Sequence, residues 1–122
     1  MSRVKDLMGT GTSPVAALNL NSCGTVVSAG TGSQAAGKLL DYAANNLTTA
    51  GSLDTFVLPT GAQGSMPGDV IYAYTPGATT GVVYPGGADT INGSTSAVSI
   101  AQAKMGVFTR FTSTSWGFTV TA

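Results

Sequence analysis

Across residues 115–121 the bulky side chains Trp116, Phe118 and Val120 alternate with Ser115, Gly117, Thr119 and Thr121, a period of two that places the large groups on one face of a β-strand. From Gly24 onward, runs rich in Val, Ile, Thr, Tyr and Phe recur between clusters of Gly, Pro, Asn and Ser, the punctuation of an all-β chain. The pattern predicts strands over 25–29, 53–58, 69–74, 81–84, 97–101, 105–111 and 115–121. The segments 53–58 and 69–74 carry apolar groups on both parities, as Phe56 and Leu58 against Val57 illustrate. Each is therefore expected to be covered on both faces, by a second sheet or by a neighbouring subunit. Residues 33–48, SQAAGKLLDYAANNLT, fit a helix with Leu39, Leu40 and Ala43 at helical spacing, or a strand alternating through Leu40, Tyr42 and Ala44; Gly37 interrupts both.

Turn residues organise the C-terminal part. Pro85-Gly86-Gly87 closes the strand ending at Tyr84, since proline stops the ladder and glycine permits positive φ. Asn92-Gly93 is a two-residue hairpin signal of the type I′ kind. Val98 and Ile100 then point one way, Ala97, Ser99 and Ala101 the other, and further connections fall at 102–104 and 113–115, so residues 82–116 read as a meander. Gly9, Gly11 and Pro14 break any regular element in residues 1–22. The expected architecture is an antiparallel sandwich or barrel-like single domain over residues 23–122, preceded by an extended N-terminal arm over 1–22.

A chain of 122 residues suits one domain. Only 8% of it is charged, with five basic and five acidic residues, against about 25% in an ordinary soluble domain. Such a neutral surface resists association weakly and suits a protein that works packed into an assembly. Lys5, Lys38, Lys104, Arg3 and Arg110 are too scattered for the clustered cations that nucleic acid requires. No run of about 18 apolar residues offers a membrane span, and the first 20 residues lack the apolar core of a signal peptide, so synthesis and folding in a cytoplasm are expected. The N-x-S/T sequons at Asn46 and Asn92 then carry no glycosylation meaning. Cys23 stands alone, excluding an intrachain disulfide, and reads as a small buried or half-buried hydrophobe.

The inventory of reactive groups is short. There is no histidine, every acidic residue is an aspartate, and no Ser-His pair, Cys-His pair or G-x-S-x-G elbow can form. Within GSQAAGKL, Gly32, Gly37 and Lys38 match the start of a phosphate-binding loop, but Leu39 stands where a hydroxyl would hold Mg²⁺. Asp6, Asp41, Asp54, Asp69 and Asp89 are far apart in sequence and read as solvated turn and strand-end carboxylates rather than a glycosidase pair. The usual zinc sets are excluded, and Asp89 with Asn92 offers at most a weak loop calcium site. No enzyme, cofactor or metal is expected. Trp116, Tyr72, Tyr74 and Tyr84 are suited to stack on sugars or a partner, or to serve as core or subunit interface.

The segments VVYPGGADTING at 82–93, AVSIAQAKMGVFTRF at 97–111 and the later Trp116, preceded by FVLPTGAQGSMPGDVIYAY at 56–74, resemble a family of small tailed-bacteriophage virion proteins. In that family a strand ending in VYP leads to a Gly-rich turn, a TING hairpin, a strand of the A-x-S-I/L type, a short connection, an aromatic strand and a final Trp. The likeness spans residues 53–118 and is loose before them; its motifs are structural, not catalytic. MGVF departs from the pattern, which has an aromatic run without Gly, and a second charged turn is missing. The resemblance implies a mainly β subunit on the particle surface, commonly a homotrimer, acting as a head decoration (cement) protein on the major capsid protein or as part of a receptor- or glycan-binding fibre. Candidate assembly contacts are Arg3, Lys5 and Asp6 in the arm, with Tyr72, Tyr74 and Trp116 in the domain.

Overall fold

The computed structural model describes residues 23–27, 33–48, 54–76 and 80–121, and the arm expected over 1–22 lies outside them. The described part is all β, with strands β1 (Cys23–Val27), β2 (Lys38–Leu39), β3 (Ala44–Thr48), β4 (Asp54–Val57), β5 (Val70–Thr75), β6 (Gly81–Tyr84), β7 (Thr90–Ile91), β8 (Val98–Ile100), β9 (Lys104–Arg110) and β10 (Ser115–Val120). Single turns of 3-10 helix occur at Gln34–Ala36 and Gly61–Gln63. No helix among the described residues is long and apolar enough to cross a membrane.

The strands form a six-stranded sheet, β1-β3-β5-β9-β10-β7, and a four-stranded sheet, β2-β4-β6-β8. Up to β6 the chain alternates between them, so that β1, β3 and β5 run parallel in the long sheet while β2, β4 and β6 run parallel in the short one. Cys23 pairs with Ala44 and Ala44 with Tyr72, so successive passes stack in register as the coils of a short solenoid. Parallel strands need a crossover, and here the crossover is a strand of the opposite sheet. After β6 the winding stops: β8 pairs antiparallel with β6, and β9 pairs antiparallel with both β5 and β10.

The expected antiparallel sandwich or barrel is thus corrected to a solenoid-like pair of mixed sheets. Hydrophobic alternation has the same period in parallel and antiparallel strands, and it marks strands without naming their partners. The meander expected over 82–116 is corrected likewise, because β8 lies in the short sheet and β7 on the far edge of the long one. The turn chemistry itself is as expected: Asn92 and Gly93 have φ of 50° and 82°, and Ile91 and Ser94 exchange hydrogen bonds of 2.8 and 3.0 Å around them. Residues 33–48 contain no α-helix; β3 points Asn45 and Leu47 inward, the parity opposite to Tyr42 and Ala44.

One core lies between the sheets. Leu47, Ile71 and Phe108 enter it from the long sheet, Phe56, Val83 and Ile100 from the short one, and all are at most 6% exposed. Gly106 permits this approach, since a Cβ there would stand 2.9 Å from Ile100 Cδ1 and 2.8 Å from Phe118 Cε1. The glycine that departs from the aromatic-run pattern thus makes room for two core side chains. β4 is covered on both faces as expected, with Asp54, Thr55 and Phe56 buried and Val57 half-buried. β5 is not: Ile71, Ala73 and Thr75 are buried while Tyr72 and Tyr74 are exposed. Phe108 is fully buried with its ring stacked on Phe118 at 4.8 Å, so Phe108→Ala is expected to cost about 3–5 kcal/mol, read as a lowered urea midpoint at unchanged slope.

Candidate functional site

The alternation in β9 offers two faces, Met105, Val107 and Thr109 with the following Phe111, or Gly106, Phe108 and Arg110. Hydrophobicity alone would bury the first set, since the second contains a charge. The fold does the reverse: Arg110 is 1% exposed and Phe111 68%. Burial of a guanidinium is costly, and the cost is offset here by a paired charge and by acceptors for Nη1 and Nη2, with the buried Nε left unpartnered. Arg110 Nη1 donates to Asp89 Oδ2 at 3.3 Å and to the Pro59 carbonyl at 3.2 Å, Nη2 donates to the Ser113 carbonyl, and the guanidinium carbon stands 5.3 Å from the Trp116 ring centroid. Its backbone is held as well, donating to Asp69 O at 2.9 Å and accepting from Gly68 N at 2.7 Å. One side chain therefore clasps the loop after β4, the turn before β7 and the β9–β10 hairpin loop.

Fixing Arg110 inward fixes every other side chain of β9, because a one-residue slip would exchange the two faces. The pairing with β5 carries this register across, matching Phe108 with Ile71 inside and Val107 with Tyr72 outside. The outward surface of the long sheet is built in rows. Tyr72 lies between Ala44 and Val107, with Thr119 beyond; Tyr74 lies between Asn46 and Met105, with Thr25 beyond. Ala44 and Asn46 are short, and Tyr72 and Tyr74 are 42% and 43% exposed. Farther along, the Phe111 ring occupies the space that a Cβ on Gly117 would take. Among the described outward positions of β1, β3, β5, β9 and β10, no side chain carries a charge. Exposed aromatics, half-buried Met105 and Val107, and no charges form the composition of the centre of a protein–protein contact.

Of the contact candidates in the domain, Tyr72 and Tyr74 thus share one exposed face. Trp116 does not join them: at 2% exposure beneath Arg110 it is a core residue, so its candidacy as a contact is corrected. Arg3, Lys5 and Asp6 lie outside the described residues. Tyr84 is half-buried in the short sheet. Cys23, expected to be buried or half-buried, is exposed, because β1 is an edge strand and Cys23 shares the outward parity of Thr25. Sequence reasoning missed Phe111, Val107 and Met105; the signal was the arginine two residues after Phe108, whose need for partners decides which parity is inside.

Among the described residues, the other candidates do not gather into one reactive group. Asp89 faces Arg110, while Asn92 is held by β10, so the two do not converge on a loop cation. Asp69 accepts from Met66 N at 2.8 Å and Ser65 Oγ at 3.2 Å, closing its own loop. In GSQAAGKL, Gln34 donates to the carbonyls of Pro85 and Gly87, and Lys38 stands exposed on β2 with a strand, not a helix, behind it.

The clasp and the face respond differently to substitution. Asp89→Ala strands a buried guanidinium and is expected to cost about 3–5 kcal/mol in urea denaturation. Tyr72→Ser and Tyr74→Ser remove exposed rings and are expected to cost less than about 1 kcal/mol each. Comparison with family models, curated proteins and solved structures finds no match to the chain.

Proposed function

We propose that the chain is a non-enzymatic structural subunit of a bacteriophage particle, a capsid decoration (cement) protein that adheres to the outside of the shell and stabilises contacts between capsomers. The observation that carries this is the uncharged outward face of the long sheet, with Tyr72, Tyr74 and Phe111 exposed on it. The sequence resemblance over 53–118 supplies the particle; the face supplies the means of attachment. Tyrosine suits such a role because its ring buries apolar area while its hydroxyl keeps a polar partner. The major capsid protein is the proposed partner and the homotrimer the proposed state, since several copies acting together make each further contact intramolecular. On this account the protein is made in the host cytoplasm and resides on the virion surface.

A second role in the same class of particle, a head-fibre or tail-associated module that binds receptors or glycans, is favoured by the parallel coils, which suit extended, stackable elements. The two are separated by adding purified protein to particles that lack it. A decoration protein raises the temperature at which the shell ruptures, and Tyr72→Ser/Tyr74→Ser/Phe111→Ser weakens particle binding at least about tenfold while remaining folded. Unchanged shell stability together with saturable glycan binding would replace the first role by the second.

A further inference from the structure

We propose that the Asn92-Gly93 turn is a covalent modification site, a spontaneous deamidation site whose rate is set by the fold. An Asn-Gly step is chemically the most exposed to this reaction, because glycine has no side chain to shield its backbone nitrogen. The Gly93 nitrogen, giving its proton to solvent base, forms a bond to Asn92 Cγ; Nδ2 takes a proton from solvent, the Cγ–Nδ2 bond breaks and ammonia leaves. Water then opens the succinimide at either carbonyl, giving Asp or isoAsp, with no change of oxidation state and no co-reactant but water.

The structure holds this reaction back. The Asn92 carboxamide spans the gap to β10, with Nδ2 donating to Phe118 O at 3.1 Å and Oδ1 accepting from Phe118 N at 3.0 Å. The Asn92 backbone donates to Trp116 O at 2.9 Å, so main chain and side chain together continue the parallel pairing of β7 with β10 by one more residue. Attack by Gly93 N requires the carboxamide to swing back over its own backbone, which breaks both side-chain bonds. The same bonds make the product disruptive. An aspartate would set an acceptor oxygen against Phe118 O where a donor stood, and isoAsp would lengthen a backbone that runs at φ of 50° and 82° through a two-residue turn. Deamidation therefore loosens the β7 edge of the long sheet beside Trp116. This inference stands apart from the adhesive role and survives its failure.

The test is to hold the full chain in mildly alkaline buffer, folded and in urea, and to follow Asn92 by peptide mapping. Deamidation is expected to be at least about tenfold slower in the folded chain, the effect of two ordinary hydrogen bonds that must open first. Asn92→Gly, which tolerates the left-handed turn but lacks the carboxamide, and Asn92→Asp are each expected to lower Tm by about 3–8 °C. Equal rates in the folded and unfolded chain, or wild-type Tm for both variants, would overturn the proposal.

Discussion

Arg110 is the constraint on which the rest of the molecule depends. A guanidinium inside a protein is costly unless its charge is paired and its donors are met; here Nη1 and Nη2 find Asp89, Pro59 and Ser113, from three separate connections, while the buried Nε has no hydrogen-bond partner. Any slip of β9 against β5 that kept the chain compact would leave the charge without those partners. The arginine thus acts less as a source of stability than as a penalty on the alternatives. With it inside, Phe108 faces the core, and Met105, Val107 and Phe111 face outward; the tyrosines of β5 follow through the shared register. A polar interior group is what makes the exterior apolar.

The winding and the cap divide the work. In-register parallel coils from β1 to β6 give two sheets with a shared interior, and Asn45 links coils by donating to Tyr72 O at 3.1 Å as well as closing its own corner through Tyr42 O at 2.8 Å. Coils alone would leave the growing edge open, the exposed-edge hazard that β-proteins must manage. Here β8 and β9 run against the coils and cover that edge of each sheet, β10 returns to the coil direction, and the short β7 with the Asn92 side chain pairs along residues 115–118 of β10. The result is a platform whose broad sheet is supported from beneath by a continuous core, while its outer face is left for something else to cover.

How much of this is legible in the sequence varies by element. β6 lies where its apolar run and the following Pro-Gly-Gly place it, β10 declares its inward Trp116 by alternation, and Asn92-Gly93 forms the turn its residues favour. Pairing is not legible, because the residues that make Val26 a good neighbour for Leu47 would serve an antiparallel neighbour as well. Very short strands such as β2 and β7 exist through their partners rather than through any pattern of their own. At the candidate site the composition of β5 points to Tyr72 and Tyr74, an aromatic such as Trp116 on an alternating strand fits core and contact equally until its burial decides, and the contribution of Phe111 depends on a buried charge that no hydrophobic count would place inside.

Adhesion through the outward face is the central claim, and residue-resolved hydroxyl-radical footprinting of the protein free in solution and mixed with the proposed phage particle tests it most directly. The account predicts that Tyr72, Tyr74, Met105 and Phe111 react readily in the free protein and are protected together on the particle, while Trp116 is protected in both. Equal labelling of those four side chains in the two states, with protection appearing elsewhere on the molecule, would contradict it.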